Sequence, residues 1–328
     1  MKYIFFGTPK FAAIILEKLI ESGLMPIAVV CNPDKPMGRK KILTAPPTKI
    51  IAQANKIPVF QPKKLSEIKN ELKNINAEVF VVAAYNKIIS EEVINIPKFK
   101  TVGVHPSLLP KYRGASPIQT AILNGDKETG VDLFLIDKGI DHGPAIASAE
   151  CEISEKDNYE TLEAKLAELG AKLLIENLPK YLTGDIKPQE QDHSKATLTK
   201  KFSTEDGYVN LPPSVIASAQ GERGNPYKEI ASSQIPRNDK KETSAELIFN
   251  KIRALNPDPG VFTFFNTKTG EKRVKLLEAK LIRSKPFDKA PSTSLRTSQD
   301  KLELLKVQPE GKKPMSYKDF LNGIKNNE

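Results

Sequence analysis

Two side chains that can move a proton lie in separate segments of the chain. His105 follows a β-branched run and precedes a proline-bounded loop in TVGVHPSLLPKYRG (101–114). Asp141 lies in the glycine-flanked segment DKGIDHG (137–143). If both segments end neighbouring strands, the carboxylate orients the imidazole and favours its protonated form. No Ser or Cys nucleophile accompanies the pair, so it suits proton transfer in an acyl transfer in which the substrate's own amine attacks.

Each histidine of the chain also has a structural interpretation. A histidine at a strand end often has only a packing role, with its ring hydrogen-bonded to neighbouring groups. His105 alone is therefore weak support for a catalytic site. His142 is the rival partner of Asp141, and we expect its side chain to point away from that carboxylate. His193 lies in a polar segment and is expected to be solvated.

Alternating strands and helices must position these residues. Apolar runs predict strands at 2–6, 25–31, 77–85, 100–105 and 130–137, and amphipathic patterns predict helices at 9–22, 46–56, 65–75, 116–125 and 158–182. This alternation predicts an α/β fold with a Rossmann-like, open, mostly parallel sheet. Ligands of such sheets bind beyond the carboxyl ends of the strands, where His105 and Asp137 are expected. No GxGxxG motif follows the first strand, so we predict no dinucleotide.

The 328 residues are enough for two domains. We predict a catalytic domain at 1–189, a linker at 190–206 and a small β-barrel or sandwich at 207–328. Two polar, aperiodic stretches, 214–242 and 288–300, are interpreted as surface insertions. The alternative for the first stretch is a functional arm that contacts a polyanionic partner.

Charge and cysteine usage narrow the class of protein. The net charge is +10, and residues 251–328 hold 17 Lys and Arg against 9 Asp and Glu. This excess fits either a polyanionic partner or a solvated basic face. Cys31 and Cys151 have no metal-ligand spacing and are interpreted as reduced thiols of a cytosolic protein. No apolar run is long enough to predict a membrane span or a signal peptide.

The chemistry-bearing segments resemble a known family. VHPSLLPKYRGASPIQTAILNGDKETGV (104–131) and DKGIDHGP (137–144) together resemble the formyltetrahydrofolate-dependent formyltransferases. Further stretches resemble the members that act on methionyl-tRNA: FFGTPKFA (5–12), NPDKPMGRKK (32–41), IRALNPDPGVFT (252–263) and QPEGKKPMSYKDFLNG (308–323). The match runs from end to end and is interrupted only by the two insertions.

The resemblance implies the formyltransferase fold followed by an OB-like domain that binds tRNA. It implies transfer of formyl from 10-formyltetrahydrofolate, as co-substrate, to the amino group of methionine on initiator Met-tRNA. His105 would take the proton of the attacking amine and Asp141 would hold the imidazole. No metal or nucleotide cofactor, no membrane, a monomeric state and a cytoplasmic location of bacterial type are expected.

One position departs from the family pattern. An Asn stands two residues before the catalytic histidine in the family, and its amide donates to the formyl oxygen, whereas this chain has Gly103. Loss of such a donor lowers the rate by about 100- to 1000-fold. A water beside the small glycine, or Asn86, is a candidate replacement, although Asn86 is also interpreted as a left-handed turn residue. A slowed enzyme, a rearranged site and an inactive relative that binds tRNA or folate all remain open.

The resemblance also assigns binding residues. The folate pocket would be lined by Ala84, Tyr85, Asn86, Ser107, Leu108, Leu109, Pro110, Asp137, Gly139 and Gly143. The tRNA would be contacted by Lys35, Arg39, Lys40, Lys41, Lys312 and Lys313, with Lys49 and Lys318 nearby in sequence. A related formyltransferase that acts on a small amine is the alternative, and the two basic regions argue against it.

Overall fold

The computed structural model describes residues 1–38, 40–212, 215–217, 244–267, 270–284 and 300–325. Two compact units comprise 1–121 with 126–200 and 122–125 with 201–328, and each is described by itself. Residues 190–200, which we predicted as linker, are part of the first unit. Arg39 and most of both predicted insertions lie outside the described residues.

A seven-stranded sheet forms the centre of the first unit. Its order is β10-β9-β7-β6-β1-β2-β5, with β9 antiparallel to both of its neighbours and the other pairs parallel. The strands of the first unit are β1 Tyr3–Gly7, β2 Ala28–Val30, β3 Lys35–Met37, β4 Ile42–Thr44, β5 Val59–Phe60, β6 Val79–Ala83, β7 Thr101–His105, β8 Arg113–Gly114, β9 Glu128–Leu135, β10 Ala145–Glu152 and β11 Leu198–Thr199. The mostly parallel α/β sheet predicted from the alternating pattern is therefore confirmed.

Helices cover the two faces of this sheet. They are α1 Lys10–Glu21, α2 Pro47–Ala54, α3 Lys69–Asn74, α4 Glu91–Ile94, α5 Pro117–Leu123 and α6 Tyr159–Thr183, with a 3-10 turn at Leu65–Ile68. On one face α1 packs against α6. On the other, Phe6 and Phe80 of the sheet pack with Leu72 of α3. Because helices bury both faces, the strand at Val79–Ala83 is a continuous apolar run, as predicted.

The direction of β9 corrects one step of the sequence analysis. We expected the segments of His105 and Asp141 to leave the same edge of the sheet. The pairs Val102–Leu135 and His105–Asp132 show instead that β9 ends beside the start of β7. Residues 136–144 then fold back, and the Leu135 amide donates to the Pro144 carbonyl at 2.9 Å.

In its described residues the second unit is an antiparallel strand domain with two helices. Its sheet has the order β12-β13-β14-β15. The elements are α7 Ala245–Leu255, β12 Phe262–Thr267, β13 Gly270–Ile282, β14 Lys301–Pro309, β15 Met315–Ser316 and α8 Tyr317–Lys325. Isolated parallel bridges join Tyr208 to Phe262 and Ile216 to Leu302. OB-like closure of the sheet stays a prediction, because residues 285–299 lie outside the described residues.

The requirement for glycine at position 143 can be tested directly. A Cβ atom there would lie 2.0 Å from the Leu135 carbonyl oxygen, so the fold-back of residues 136–144 requires glycine. We expect Gly143→Ala to lower the free energy of unfolding by about 1–3 kcal/mol, as measured by urea denaturation. Gly323→Ala is the control, since a Cβ at that helical glycine meets no atom within 4 Å. Equal stability of the two variants would show that the connection does not need the close approach.

Candidate active site

A cavity of about 650 Å³ opens beyond the carboxyl ends of β6 and β7. This volume is within the range of about 300–1,000 Å³ that is usual for small-molecule sites. Its walls are formed by residues 84–89 after β6, residues 103–106 at the end of β7, and residues 137–141. The start of α5 and the side chains of Tyr159 and Glu163 of α6 complete the walls. All of these residues belong to the first unit.

His105 is a buried histidine that lines this cavity, with only 6% of its surface exposed. Its Nε2 lies 2.9 Å from the Tyr112 carbonyl oxygen, which only accepts hydrogen bonds, so Nε2 carries the proton. In the neutral ring Nδ1 therefore keeps its lone pair. Nδ1 lies 3.5 Å from Oδ2 of Asp141, and the Gly114 amide donates to the same Oδ2 at 2.7 Å. Nδ1 is thus the basic atom, with a carboxylate placed to stabilise the ring once it is protonated.

Strained backbone surrounds this pair. Ala84, Asn86, Tyr112 and Asp141 all have positive φ angles, of 45°, 61°, 60° and 46°. Residues other than glycine adopt this left-handed region at an energetic cost, and such residues cluster at functional sites. Asn86 is the left-handed turn residue that the sequence suggested.

Residues 190–200 hold the loops around His105 and Asp141 in place, which the sequence analysis did not predict. The Gln191 amide donates to the backbone carbonyls of Asp141 at 3.0 Å and Gly143 at 2.7 Å. Its oxygen accepts from Nε of Arg113 at 3.1 Å. The Thr197 hydroxyl accepts from the Tyr112 amide at 2.8 Å. Polar residues in an irregular segment resemble a linker, and only the fold reveals that they are structural.

The other two histidines are engaged with each other. Nδ1 of His142 lies 2.7 Å from Asp137, so His142 does not compete for Asp141. His193 stacks on His142 with ring centroids 4.1 Å apart, and its Nδ1 lies 2.9 Å from a guanidinium nitrogen of Arg113. The expectation that His193 is simply solvated was incomplete, because its exposed ring has two partners.

Gly103 lies on the cavity wall, but the space beside it is filled. Phe134 is its partner in the β7–β9 register, and a Cβ at position 103 would lie 2.5 Å from the Phe134 ring. The Phe134 ring therefore takes the space that a side chain at position 103 would need. Phe134 also packs edge-on to the His105 ring at 6.4 Å.

The residues assigned to folate divide into two groups. Ala84, Tyr85, Asn86, Asp137 and Gly139 line the cavity, whereas Ser107, Leu108, Leu109, Pro110 and Gly143 do not. The loop at 107–110 is instead packed, with the Ser107 hydroxyl donating to the Lys111 carbonyl at 2.6 Å.

The basic residues assigned to tRNA are exposed where they are described. Lys35, Lys40 and Lys41 lie on the hairpin formed by β3 and β4. Lys49 is paired with Asp34 at 2.8 Å. In the second unit Lys312, Lys313 and Lys318 are exposed.

Asp132 is a buried carboxylate of this region that the sequence analysis missed. It is only 1% exposed, and its Oδ2 accepts from the Leu109 amide at 2.9 Å. Burial raises the pKa of Asp132 to about 6, although the Ser148 hydroxyl, the Leu109 amide and His105 favour its ionised form. Its place in an otherwise apolar strand is the only sequence signal that marks it.

Comparison with known proteins gives the class of this chain. The formyl transferase model matches residues 1–178 and the formyl transferase C-terminal domain model matches residues 242–325. The chain belongs to the formyl transferase family.

Relatives that match over their full length narrow the class. The chain is 39% identical to the methionyl-tRNA formyltransferase of Dictyoglomus turgidum, over 100% of this chain and 98% of the relative. It is 40% identical to that of Kosmotoga olearia, over 95% and 93%. These identities place it with the methionyl-tRNA formyltransferases of the family.

A solved structure has the same fold. The N-formyltransferase of Helicobacter canadensis, in complex with folinic acid and dTDP-3-aminofucose, superposes with a TM-score of 0.55. It is 22% identical, and the match covers 88% of this chain and 93% of that one.

Two other kinds of feature are absent from the described part of the chain. Within the described part of the chain, no three His, Cys, Asp or Glu side chains are grouped to hold a metal ion. None of the described helices has both the length and the apolar character that a bilayer crossing needs.

The packing at position 103 makes a prediction about stability. We expect Gly103→Asn alone to lower the free energy of unfolding by about 1–3 kcal/mol, because the new side chain overlaps the Phe134 ring. Adding Phe134→Leu should recover part of this loss. Thermal unfolding of both single variants and the double variant measures the coupling. Simple additivity of the two single changes would contradict the contact.

The raised pKa of Asp132 makes a prediction about pH. Between pH 3.8 and about 6 the folded state holds a proton that the unfolded state has released, so this group's stabilising contribution is lost as the pH rises. We expect the stability of Asp132→Asn relative to wild type to increase by on the order of 2 kcal/mol from pH 4 to pH 7, as measured by urea denaturation.

Asp157→Asn is the matched control for this measurement. Asp157 is also buried, and burial acts to raise its pKa, but Lys165, Ser154 and Thr161 together favour the ionised form, so its pKa is lowered. Its variant should therefore lose stability relative to wild type as the pH rises from the acid range. The same trend in both variants would contradict the assignment for Asp132.

Proposed function

We propose that this chain transfers the formyl group of 10-formyltetrahydrofolate to the amino group of methionine on initiator tRNA, with His105 and Asp141 as the catalytic pair. The observation that carries the proposal is the 3.5 Å approach of Nδ1 of His105 to Asp141 in a cavity of the first unit. The names of the full-length relatives support the choice of substrates. A cytoplasmic location and a monomeric state belong to the same proposal.

The cavity suits the folate co-substrate. Ala84, Tyr85 and Asn86 place a left-handed turn of backbone in its wall, and turned backbone presents N–H and C=O groups that a pterin edge requires. The co-substrate supplies the formyl group, and its transfer forms one C–N bond at the methionine amine and breaks another at N10.

The proton of the attacking amine passes to Nδ1 of His105 in this proposal. Nε2 is held by the Tyr112 carbonyl, so the ring presents the same nitrogen to each substrate. Once protonated, Nδ1 donates to Asp141, whose Oδ2 is fixed by the Gly114 amide. The proton then returns to the leaving nitrogen, which balances the transfer.

Gly103 favours a second candidate, a relative that binds its substrates and turns over slowly or not at all. No side-chain amide is available at this position, and Phe134 occupies the adjoining space. Asn86 lines the same cavity and is the candidate replacement donor.

In this proposal the basic surfaces bind the tRNA. Lys35, Lys40 and Lys41 on the first unit, and Lys312 and Lys313 on the second, are exposed cations that suit phosphate contacts. Such contacts position an RNA without reading its sequence. A small amine as acceptor would need neither surface.

The decisive assay is formylation of charged initiator Met-tRNA by the wild-type chain and by Gly103→Asn combined with Phe134→Leu. Turnover by the wild type supports the enzyme proposal. Turnover by the double variant alone supports the impaired relative. If neither turns over, separate binding measurements with the folate and the tRNA decide between an inactive relative and a different acceptor.

The catalytic pair gives its own prediction. We expect His105→Ala and Asp141→Asn each to lower kcat/KM by about 100-fold or more, since each removes part of the proton transfer. Asp185→Asn is the control, because this exposed residue does not line the cavity. Circular dichroism checks that the variants fold. Near-normal turnover of either site variant would rule out the proposed pair.

A further inference from the structure

Asp132 places a second carboxylate beside the His105 ring. The two residues are direct partners in the antiparallel β7–β9 register. Side chains at such positions point to the same face of the sheet, with Cβ atoms about 5 Å apart. Asp141 approaches the ring from the fold-back of residues 136–144, so Asp132 and Asp141 reach it from different elements.

This carboxylate is poorly suited to a purely structural role. Its Oδ1 is fully buried and has no hydrogen-bond partner among the described residues. Burial of a charge without full pairing is unfavourable, and the raised pKa of Asp132 reflects that penalty. A neutral acceptor would satisfy the Leu109 amide equally well. Groups that a fold retains against their own stability are concentrated at functional sites.

The groups that face Asp132 define its electrostatic surroundings. His105 lies opposite on β7, Ser148 lies opposite on β10, and the Leu109 amide approaches from the loop at 107–110. Of these three, only His105 can carry a charge. A negative Asp132 therefore acts chiefly on the protonation state of His105.

We propose that Asp132 is a positioning residue of the site: its ionised carboxylate stabilises the imidazolium that forms when Nδ1 of His105 takes a proton, and its bond to the Leu109 amide fixes the loop that follows His105. The consequence for formyl transfer rests on the proposed function. The effect on the His105 ring does not depend on it.

This arrangement is relevant to the missing side-chain donor at position 103. In the transition state negative charge develops on the formyl oxygen, and no side chain at position 103 can donate to it. A more stable imidazolium places positive charge in the same cavity while that negative charge forms. Asp132 thus supplies part of the electrostatic stabilisation that an amide would otherwise provide.

The test is titration of the three histidines by NMR in wild type, Asp132→Asn and Asp132→Ser, without substrates. The Asn variant keeps an oxygen for the Leu109 amide and removes the charge, and His105→Gln assigns the signal. We expect the midpoint of the His105 titration to fall in both Asp132 variants, because each removes a negative charge beside the ring. Asp157→Asn, which removes a buried carboxylate away from the cavity, should leave it in place.

A kinetic measurement complements this titration. The acid limb of the kcat/KM profile for formylation should move to lower pH in Asp132→Asn, which a merely structural residue would not cause. An unchanged His105 midpoint in both Asp132 variants overturns the proposal, whatever the activity. A shifted midpoint in a chain that does not formylate Met-tRNA supports the electrostatic pairing and rejects the proposed function instead.

Discussion

The hydrogen bond from Nε2 of His105 to the Tyr112 carbonyl is the constraint on which the rest of the site depends. A backbone carbonyl accepts and never donates, so this contact settles which ring nitrogen is protonated and which is basic. Tyr112 adopts a positive φ of 60° in the same conformation. The backbone that follows the SLLP loop therefore determines which ring nitrogen of His105 carries the proton in the absence of substrate.

The sheet explains how three carboxyl and carbonyl groups meet around that ring. An antiparallel β9 puts Asp132 directly opposite His105, and the fold-back after β9 brings Asp141 to the same place. A parallel β9 would carry residues 136–144 to another location and would need a long crossover connection. The reversal of one strand is thus the structural origin of the paired carboxylates, and Phe134 two residues along fills the space that Gly103 leaves.

The sequence reveals the alternating elements and the left-handed turn at Asn86, and it marks His105 and Asp141 as candidates for the site, because these follow from apolar period, residue type and local motif. It does not reveal the direction of β9, since a strand that is buried on both faces is apolar whether its neighbours run parallel or antiparallel to it. Asp132 and Gln191 were missed for a related reason. Their roles come from partners 27 and 50 residues away in the chain, His105 and Asp141, and no local pattern encodes such contacts.

The pairing of β11 with β8 limits where two formyltransferase chains can be joined to make a chimera. The match to the formyl transferase model ends at residue 178, yet Gln191, Thr197 and Thr199 supply hydrogen bonds to the segment that carries Tyr112, Arg113 and Gly114. A chimera joined between residues 178 and 200 would combine the loops around His105 and Asp141 of one protein with the supporting segment of another. Functional modules in this chain should therefore be exchanged after Lys200, where the first unit ends.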